Sequence, residues 1–167
     1  MTIPYTFFPA TEAIISDAPL TIRRTVRWGE CDPAGIVFTP RFLDYVVTAY
    51  EAFISLMLGG PIHMLKDELA IDFPVRGVEL DFRTMLPLDS QFEMEVSVGD
   101  IRSRTFDLHI IAYKLESEGK RRGPVAFTAR VSPVTVDQTT HAAVALPDVL
   151  RTRVQAYADA NPMKEQE

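Results

Sequence analysis

Trp28-Gly29-Glu30-Cys31-Asp32-Pro33-Ala34-Gly35-Ile36-Val37-Phe38-Thr39-Pro40-Arg41-Phe42 is the stretch whose reading decides the fold. Residues that favour extended backbone lead into it, and a long apolar helical pattern leads out of it. Between them a carboxylate, two glycines and a proline are confined to a short loop. Only seven residues separate Asp32 from Pro40, where the helix begins, so a carboxylate and a helix N-terminus are held close together.

Upstream, Thr21 to Trp28 is expected to be a first strand. Thr21, Ile22, Thr25, Val26 and Trp28 favour extended backbone, while Arg23, Arg24 and Arg27 interrupt the alternation. Downstream, a helix is expected from Pro40 to Leu58. Thr39 suits the N-cap and Pro40 the first helical position, and Gly59-Gly60-Pro61 ends it. Its polar residues, Arg41, Asp44, Thr48, Glu51 and Ser55, fall on one narrow stripe. Phe42, Leu43, Val46, Val47, Ala49, Tyr50, Phe53, Ile54, Met57 and Leu58 occupy almost all the rest. A helix with so little polar surface needs something wrapped around it. The stripe itself faces solvent or a second subunit.

Four strand patterns follow the connection at Ile62–Ile71, which has room for a short helical turn through His63-Met64-Leu65. Val78, Leu80 and Phe82 alternate with Glu79, Asp81 and Arg83. Phe92, Met94, Val96 and Val98 alternate with Gln91, Glu93, Glu95 and Ser97. Phe106, Leu108, Ile110 and Ala112 form a third alternating set, and Val125, Phe127, Ala129 and Val131 a fourth. Period-two alternation indicates half-buried antiparallel strands. Leu86-Pro87-Leu88-Asp89, Gly99-Asp100 and Gly119 to Gly123 supply turns. Pro147 to Tyr157 reads as a short terminal helix. The class is therefore α+β, with an antiparallel sheet wrapped around one long central helix. Residues 1–167 form a single domain, with 1–19 an N-terminal arm and 161–167 a frayed polar tail.

Composition narrows the functions available. The 167 residues are 47% hydrophobic and 24% charged, which suits one globular domain with a substantial core. A net charge of −6 argues against a nucleic-acid or membrane-surface partner. The single cysteine, Cys31, rules out an intrachain disulfide and fits a reducing, cytoplasmic setting. No apolar run nears the roughly 20 residues of a membrane span, and Met1 to Pro19 lacks a signal-peptide pattern. No G-x-S-x-G elbow, Walker loop or G-x-G-x-x-G fingerprint is present. His63, His109 and His141 lack ligand spacing, so no metal or redox cofactor is expected.

Asp32 is the most plausible reactive group. Its local pattern also fits a loop-capping Asx turn. Pro33 stiffens the loop, Gly35 permits close backbone approach, and the helix start offers free N–H groups at the positive end of a dipole. Because Pro40 cannot donate, the N–H groups of Thr39, Arg41 and Phe42 are the candidates to hold the oxygen of a polarised carbonyl. A carboxylate beside that carbonyl can attack it or activate water. Cys31, with no histidine placed to activate it, reads as a small packed side chain. Glu51 reads as part of the polar stripe. Arg102, Arg104, Lys120, Arg121 and Arg122 flank turns, either as solvated charge or as a phosphate clamp.

Cys31-Asp32-Pro33-Ala34-Gly35-Ile36-Val37-Phe38 resembles the loop of the hotdog-fold acyl-CoA thioesterases, specifically the 4-hydroxybenzoyl-CoA thioesterase type. The order of elements over about residues 20–137 is also that family's. The resemblance implies an acyl-CoA substrate, no further cofactor, and assembly as a homodimer or homotetramer with active sites at subunit interfaces. It implies Asp32 as the catalytic nucleophile or base and the Thr39 N–H as the donor to the thioester carbonyl. Phe38 falls where an aromatic residue lines the acyl pocket. Pro74 and Val75 fall in the segment opposite the catalytic loop. Arg102 and Arg104 fall where the 4-hydroxybenzoyl type contacts CoA phosphates. Phe73 replaces an expected hydroxyl residue. Another branch of the family uses a glutamate on the central helix, a position only Glu51 can supply here. A non-catalytic module binding acyl-CoA or an acyl-carrier protein is the alternative on the same fold.

Overall fold

The structure, a computed structural model, describes residues 11–116 and 121–163. In chain order the elements are β1 (Glu12–Asp17), β2 (Leu20–Thr25), α1 (Arg41–Leu58), α2 (Ile62–Leu69), β3 (Ile71–Asp72) and β4 (Val75–Phe82). They continue with β5 (Gln91–Ile101), β6 (Phe106–Glu116), β7 (Arg121–Pro133), β8 (Val136–Asp137) and α3 (Asp148–Ala160). Six strands form one antiparallel sheet in the order β1-β2-β5-β6-β7-β4, and β3 pairs with β8 separately. This is the hotdog architecture, an α+β fold in which the sheet curls around α1.

The alternation read from the sequence explains how the sheet grips the helix. Phe92, Met94 and Val96 on β5, Phe106, Leu108 and Ile110 on β6, and Phe127 on β7 are all but fully buried. They meet Phe42, Tyr45, Val46, Ala49, Phe53 and Ile54 of α1 in one continuous core. Ring contacts stitch the layers together. Phe127 lies 5.2 Å from Phe42, Tyr45 lies 5.2 Å from Phe92, and Phe53 lies 5.1 Å from Tyr157 of α3. Such pairs add a small directional preference to a large area of apolar burial.

Several boundaries differ from the sequence reading. Glu12–Asp17, read as part of an arm, pairs with β2 as a strand, while residues 1–10 of that arm lie outside the described residues. The first expected strand stops at Thr25, and Trp28–Glu30 forms a 3-10 turn instead. Strand propensity at Trp28 loses because no neighbour extends the ladder there, and the ring is 82% exposed. Thr39 does not cap α1 with its side chain; Pro40 occupies the cap position in helical conformation. Gly59 closes α1 with φ of +81°, the left-handed geometry expected of it. Gly123 lies inside β7, because the pairing of Leu115 with Arg122 carries the ladder that far. Residues 117–120 of that expected turn, and 164–167 of the tail, lie outside the described residues.

Two further departures concern burial. β4 was expected to be half-buried, yet Val78 and Phe82 are 37% and 48% exposed. It is the terminal strand of the sheet, and among the described residues nothing pairs with its outer edge. Glu93 and Glu95, the polar residues that alternate with the core set of an expected half-buried strand, are themselves buried. Arg23 and Arg122 fold over them, with Nη2 of Arg23 at 2.7 Å from Glu93 and Nη1 of Arg122 at 2.5 Å from Glu95.

The terminal helix α3 is pinned by one hydroxyl. Tyr157 accepts the Leu20 N–H at 2.8 Å and donates to the Val96 carbonyl at 2.7 Å, tying α3 to β2 and β5 together. Replacing Tyr157 by Phe leaves two buried backbone groups without partners, at about 1–3 kcal/mol each. Urea unfolding of Tyr157→Phe is expected to report a loss of roughly 2–5 kcal/mol with an unchanged m value.

Candidate active site

The loop before α1 is a small hairpin set by its own sequence. The Asp32 N–H donates to the Ile36 carbonyl at 2.9 Å and the Gly35 N–H returns to the Asp32 carbonyl at 2.9 Å. Asp at the first position, Pro at the second and a left-handed Gly35, φ +77°, at the fourth are the residues such a turn asks for. The Asp32 side chain does form the expected Asx turn, its Oδ1 accepting the Ala34 N–H at 2.8 Å. That bond orients the carboxylate without consuming it. Asp32 is half-buried, and its second oxygen has no hydrogen-bond partner among the described residues.

The three candidate donors at the helix start separate cleanly. The Arg41 N–H donates to the Phe38 carbonyl at 2.8 Å, and the Phe42 N–H to the Thr39 carbonyl at 3.2 Å. Both are consumed in the tight first turn of α1. The Thr39 N–H makes no hydrogen bond among the described residues. It is therefore the donor left for a ligand, at the positive end of an eighteen-residue helix.

A cleft of about 330 Å³ opens beside Thr39. Ile36, Val37, Phe42, Phe82, Met85 and Leu86 give it apolar walls, and Arg83 and Thr84 add polar groups. The Phe42 and Phe82 rings lie 4.8 Å apart at its back. Phe38, expected to line this pocket, is 51% exposed and is not among the residues lining it. Its side chain turns outward while its own N–H donates to the Glu30 carbonyl at 2.9 Å.

Cys31 is held as a neutral thiol. Its Sγ lies 3.6 Å from the Arg27 carbonyl. Burial first, and then the negative charges of Glu30, Asp32 and Asp89, push its pKa up. A thiol held neutral is a poor nucleophile.

The remaining expected residues lie at the other end of the domain. Val75 and Phe82 stand at the two ends of the eight-residue β4, roughly 23 Å apart at extended rise. Pro74, whose carbonyl accepts the Val134 N–H at 2.9 Å, sits at the far end with Val75. The turn carrying Arg102 and Arg104 is there too, because the Arg104 carbonyl accepts the Thr135 N–H at 2.9 Å. Glu51 lies on a second cleft, of about 510 Å³, with Tyr50, His63, Phe73 and Pro74. One chain thus places Thr39 on the cleft and Asp32 in the loop turn that leads to it, and separately gathers Pro74, Val75, Arg102 and Arg104. It does not join the two sets.

The two arginines also differ. Arg102 is already engaged, with Nη2 at 2.9 Å from Asp100 and 3.0 Å from buried Asp107. Arg104 is exposed and forms no ion pair among the described residues. Sequence reasoning missed Arg151 of α3, whose Nη2 donates to the Arg102 and Ser103 carbonyls at 2.6 and 3.0 Å. Nothing in its local pattern marks it, since only the tertiary fold brings α3 to this turn.

The sheet, the single wrapped helix and the loop at its N-terminus define the class of protein. Residues 26–154 match the family model of the thioesterase-like superfamily, so the chain belongs to that superfamily. It is a hotdog-fold thioesterase. It is 25% identical over 142 residues to a 1,4-dihydroxy-2-naphthoyl-CoA hydrolase of Synechococcus elongatus, covering 85% of this chain and 99% of the relative. Among solved structures it is similar to a gentisyl-coenzyme A thioesterase, with TM-score 0.67, 22% identity, and coverage of 80% and 98% of the two chains. It is also similar to 4-hydroxybenzoyl-CoA thioesterase from Pseudomonas sp. strain CBS-3, with TM-score 0.71, 18% identity, and coverage of 86% and 99%.

Cys31→Ala should hydrolyse acyl-CoA within about threefold of wild type, and iodoacetamide should not abolish turnover. Loss of a hundredfold or more in either assay would return Cys31 to the reacting set.

Proposed function

We propose that this chain hydrolyses an aromatic acyl-CoA to the free acid and CoA, using Asp32 and the Thr39 N–H. The observation that carries this reading is the unbonded Thr39 N–H on the wall of an apolar cleft, four residues beyond the loop turn that orients Asp32. The thioester carbonyl oxygen accepts from that N–H. Negative charge growing on this oxygen is then met by a fixed donor and the helix dipole. The free oxygen of Asp32 acts on the carbonyl carbon, directly or through one water. Collapse of the tetrahedral intermediate expels the CoA thiolate. On the direct route water then cleaves the acyl-aspartyl anhydride.

An aromatic acyl group is favoured by the Phe42–Phe82 wall and by the cleft's volume. The hydroxyaryl-CoA substrates named for the relatives point the same way. The 4-hydroxybenzoyl group belongs to this set, with the Thr84 hydroxyl the candidate partner for a ring hydroxyl. A cytoplasmic setting suits the acyl-CoA and the unpaired Cys31.

The separation of the two residue sets supports a homodimer. Among the described residues β4 has an unpaired edge, with Val75, Val78 and Phe82 exposed, and a bare apolar edge of this length invites a partner. Antiparallel pairing of two β4 edges about a two-fold axis sets Val75 of one copy beside Phe82 of the other. Each cleft beside Thr39 then receives Pro74, Val75 and the Arg102–Arg104 turn from the second copy. CoA phosphates fall to that turn, with Arg104 the freer of its two charges.

Thiol release from a panel of aromatic, short-chain and long-chain acyl-CoAs tests the chemistry. Asp32→Asn is expected to lower kcat by roughly a thousandfold or more, and Glu51→Gln by less than tenfold. Full activity in Asp32→Asn, or wild-type binding without thiol release, would sink the reading; the latter would favour the non-catalytic alternative. Light scattering tests the assembly. Val78→Asp should shift a dimer toward monomer and lower activity in the same proportion, whereas an active wild-type monomer would remove the shared-site arrangement.

A further inference from the structure

Arg24 sits on the core face of β2, two residues from Ile22, where an aliphatic side chain would be expected. Its side chain is 16% exposed, and its guanidinium lies 4.6 Å from the centre of the Tyr45 ring of α1. Its Nη1 pairs with Glu12 of β1. Its Nη2 lies 2.5 Å from Oε1 of Glu30, in the 3-10 turn before Asp32. One cation therefore reaches the edge hairpin, the first turns of the helix and the loop.

The backbone of Glu30 and its second carboxylate oxygen are bonded along that loop. Its Oε2 accepts the Arg27 N–H at 2.8 Å, and its own N–H donates to the Arg27 carbonyl at 3.0 Å. Its carbonyl accepts the Phe38 N–H at 2.9 Å. Glu30 lies two residues before Asp32, and Phe38 directly precedes Thr39. The same residue is thus fastened to both sides of the small hairpin, and through Arg24 to the helix whose start carries the Thr39 donor. Burial alone would raise the Glu30 carboxyl, but the Arg27 N–H and Arg24 reverse this and hold it below the usual carboxylate range. The anchor is charged throughout the physiological range.

We infer that Glu30, held by Arg24, is a positioning residue that fixes the Asp32 carboxylate relative to the Thr39 N–H. The inference rests on the Asp32–Thr39 reading of the site and adds a residue that touches neither substrate nor reacting atoms. Glu30→Gln keeps the size of the side chain and removes the charge that Arg24 grips. The loop then loses its fixed spacing while the cleft walls remain.

The test compares wild type, Glu30→Gln, Arg24→Lys, Asp32→Asn and Glu93→Gln on one acyl-CoA, at a temperature where all are folded. Glu93→Gln breaks a comparably buried ion pair on the same sheet, away from the loop. Glu30→Gln is expected to lower kcat by roughly 10- to 100-fold with KM within about threefold, since a shift near 1 Å costs about that much. Arg24→Lys, which keeps the charge but loses the two-pronged fork, should fall between Glu30→Gln and wild type. Hydrogen exchange at the Phe38 amide should quicken in Glu30→Gln and stay unchanged in Glu93→Gln, a readout independent of turnover. Unchanged kcat in Glu30→Gln beside an inactive Asp32→Asn would overturn the positioning role alone. An equal kcat loss in Glu93→Gln would reduce it to general stability. An active Asp32→Asn would overturn the site reading and this inference with it.

Discussion

Burial of α1 is the constraint on which the rest depends. Eight of its eighteen residues are buried, including Phe42, Tyr45 and Phe53, and no other helix among the described residues is long enough to cover them. Only a sheet curled around the helix can do so, and only strands that alternate strictly supply the lining. The loop residues inherit their positions from that packing. Phe42 meets Phe82 and Phe127, so the first turn of α1 cannot shift along the sheet without breaking ring contacts on two strands. The Thr39 N–H projects from a turn clamped in this way. Preorganisation of this kind is what makes a single backbone donor useful for catalysis.

The wrapping is incomplete, and the incompleteness has a consequence. Leu43 and Val47 share the open side of α1 with Asp44, Thr48 and Glu51, and are 45% and 39% exposed. Among the described residues nothing pairs with the outer edge of β4, the strand that carries Phe82. A monomer would therefore expose apolar helix surface and an unpaired strand edge together, each a recognised liability. The separation of Asp32 and Thr39 from Pro74, Val75 and the basic turn follows from the same geometry. They mark opposite ends of β4, and a strand length is far longer than a thioester.

Much of this was legible in the sequence, and the failures have physical reasons. The alternation of β5 to β7 and the Gly59 stop are local signals, and they placed the elements correctly. The resemblance of Asp32-Pro33-Ala34-Gly35 picked out a loop whose hydrogen bonds give Asp32 a fixed orientation and a free oxygen. Local pattern failed where neighbours decide the outcome. Burial of Glu93 and Glu95 depends on arginines from β2 and β7, and exposure of β4 depends on its being last in the sheet. The choice among Thr39, Arg41 and Phe42 was undecidable from spacing, because it turns on which carbonyls the first turn of α1 reaches. Arg24 was visible only as a break in alternation on the first strand. That break was the sequence signature of the anchor beneath the loop.

The Arg24 cluster is an unusual use of core space. A buried ion pair contributes little net stability, because losing water costs both charges about what their attraction returns. Here the Arg24 Nε is also buried without a hydrogen-bond partner among the described residues, a further cost. An aliphatic side chain at position 24 would pack against Tyr45 without those penalties. It could not, however, hold a carboxylate at a defined point two residues from Asp32. Apolar contacts have no direction, whereas Arg24 grips Glu30 through one guanidinium nitrogen and Glu12 through another. The cluster makes physical sense as a device that trades stability for the placement of a loop.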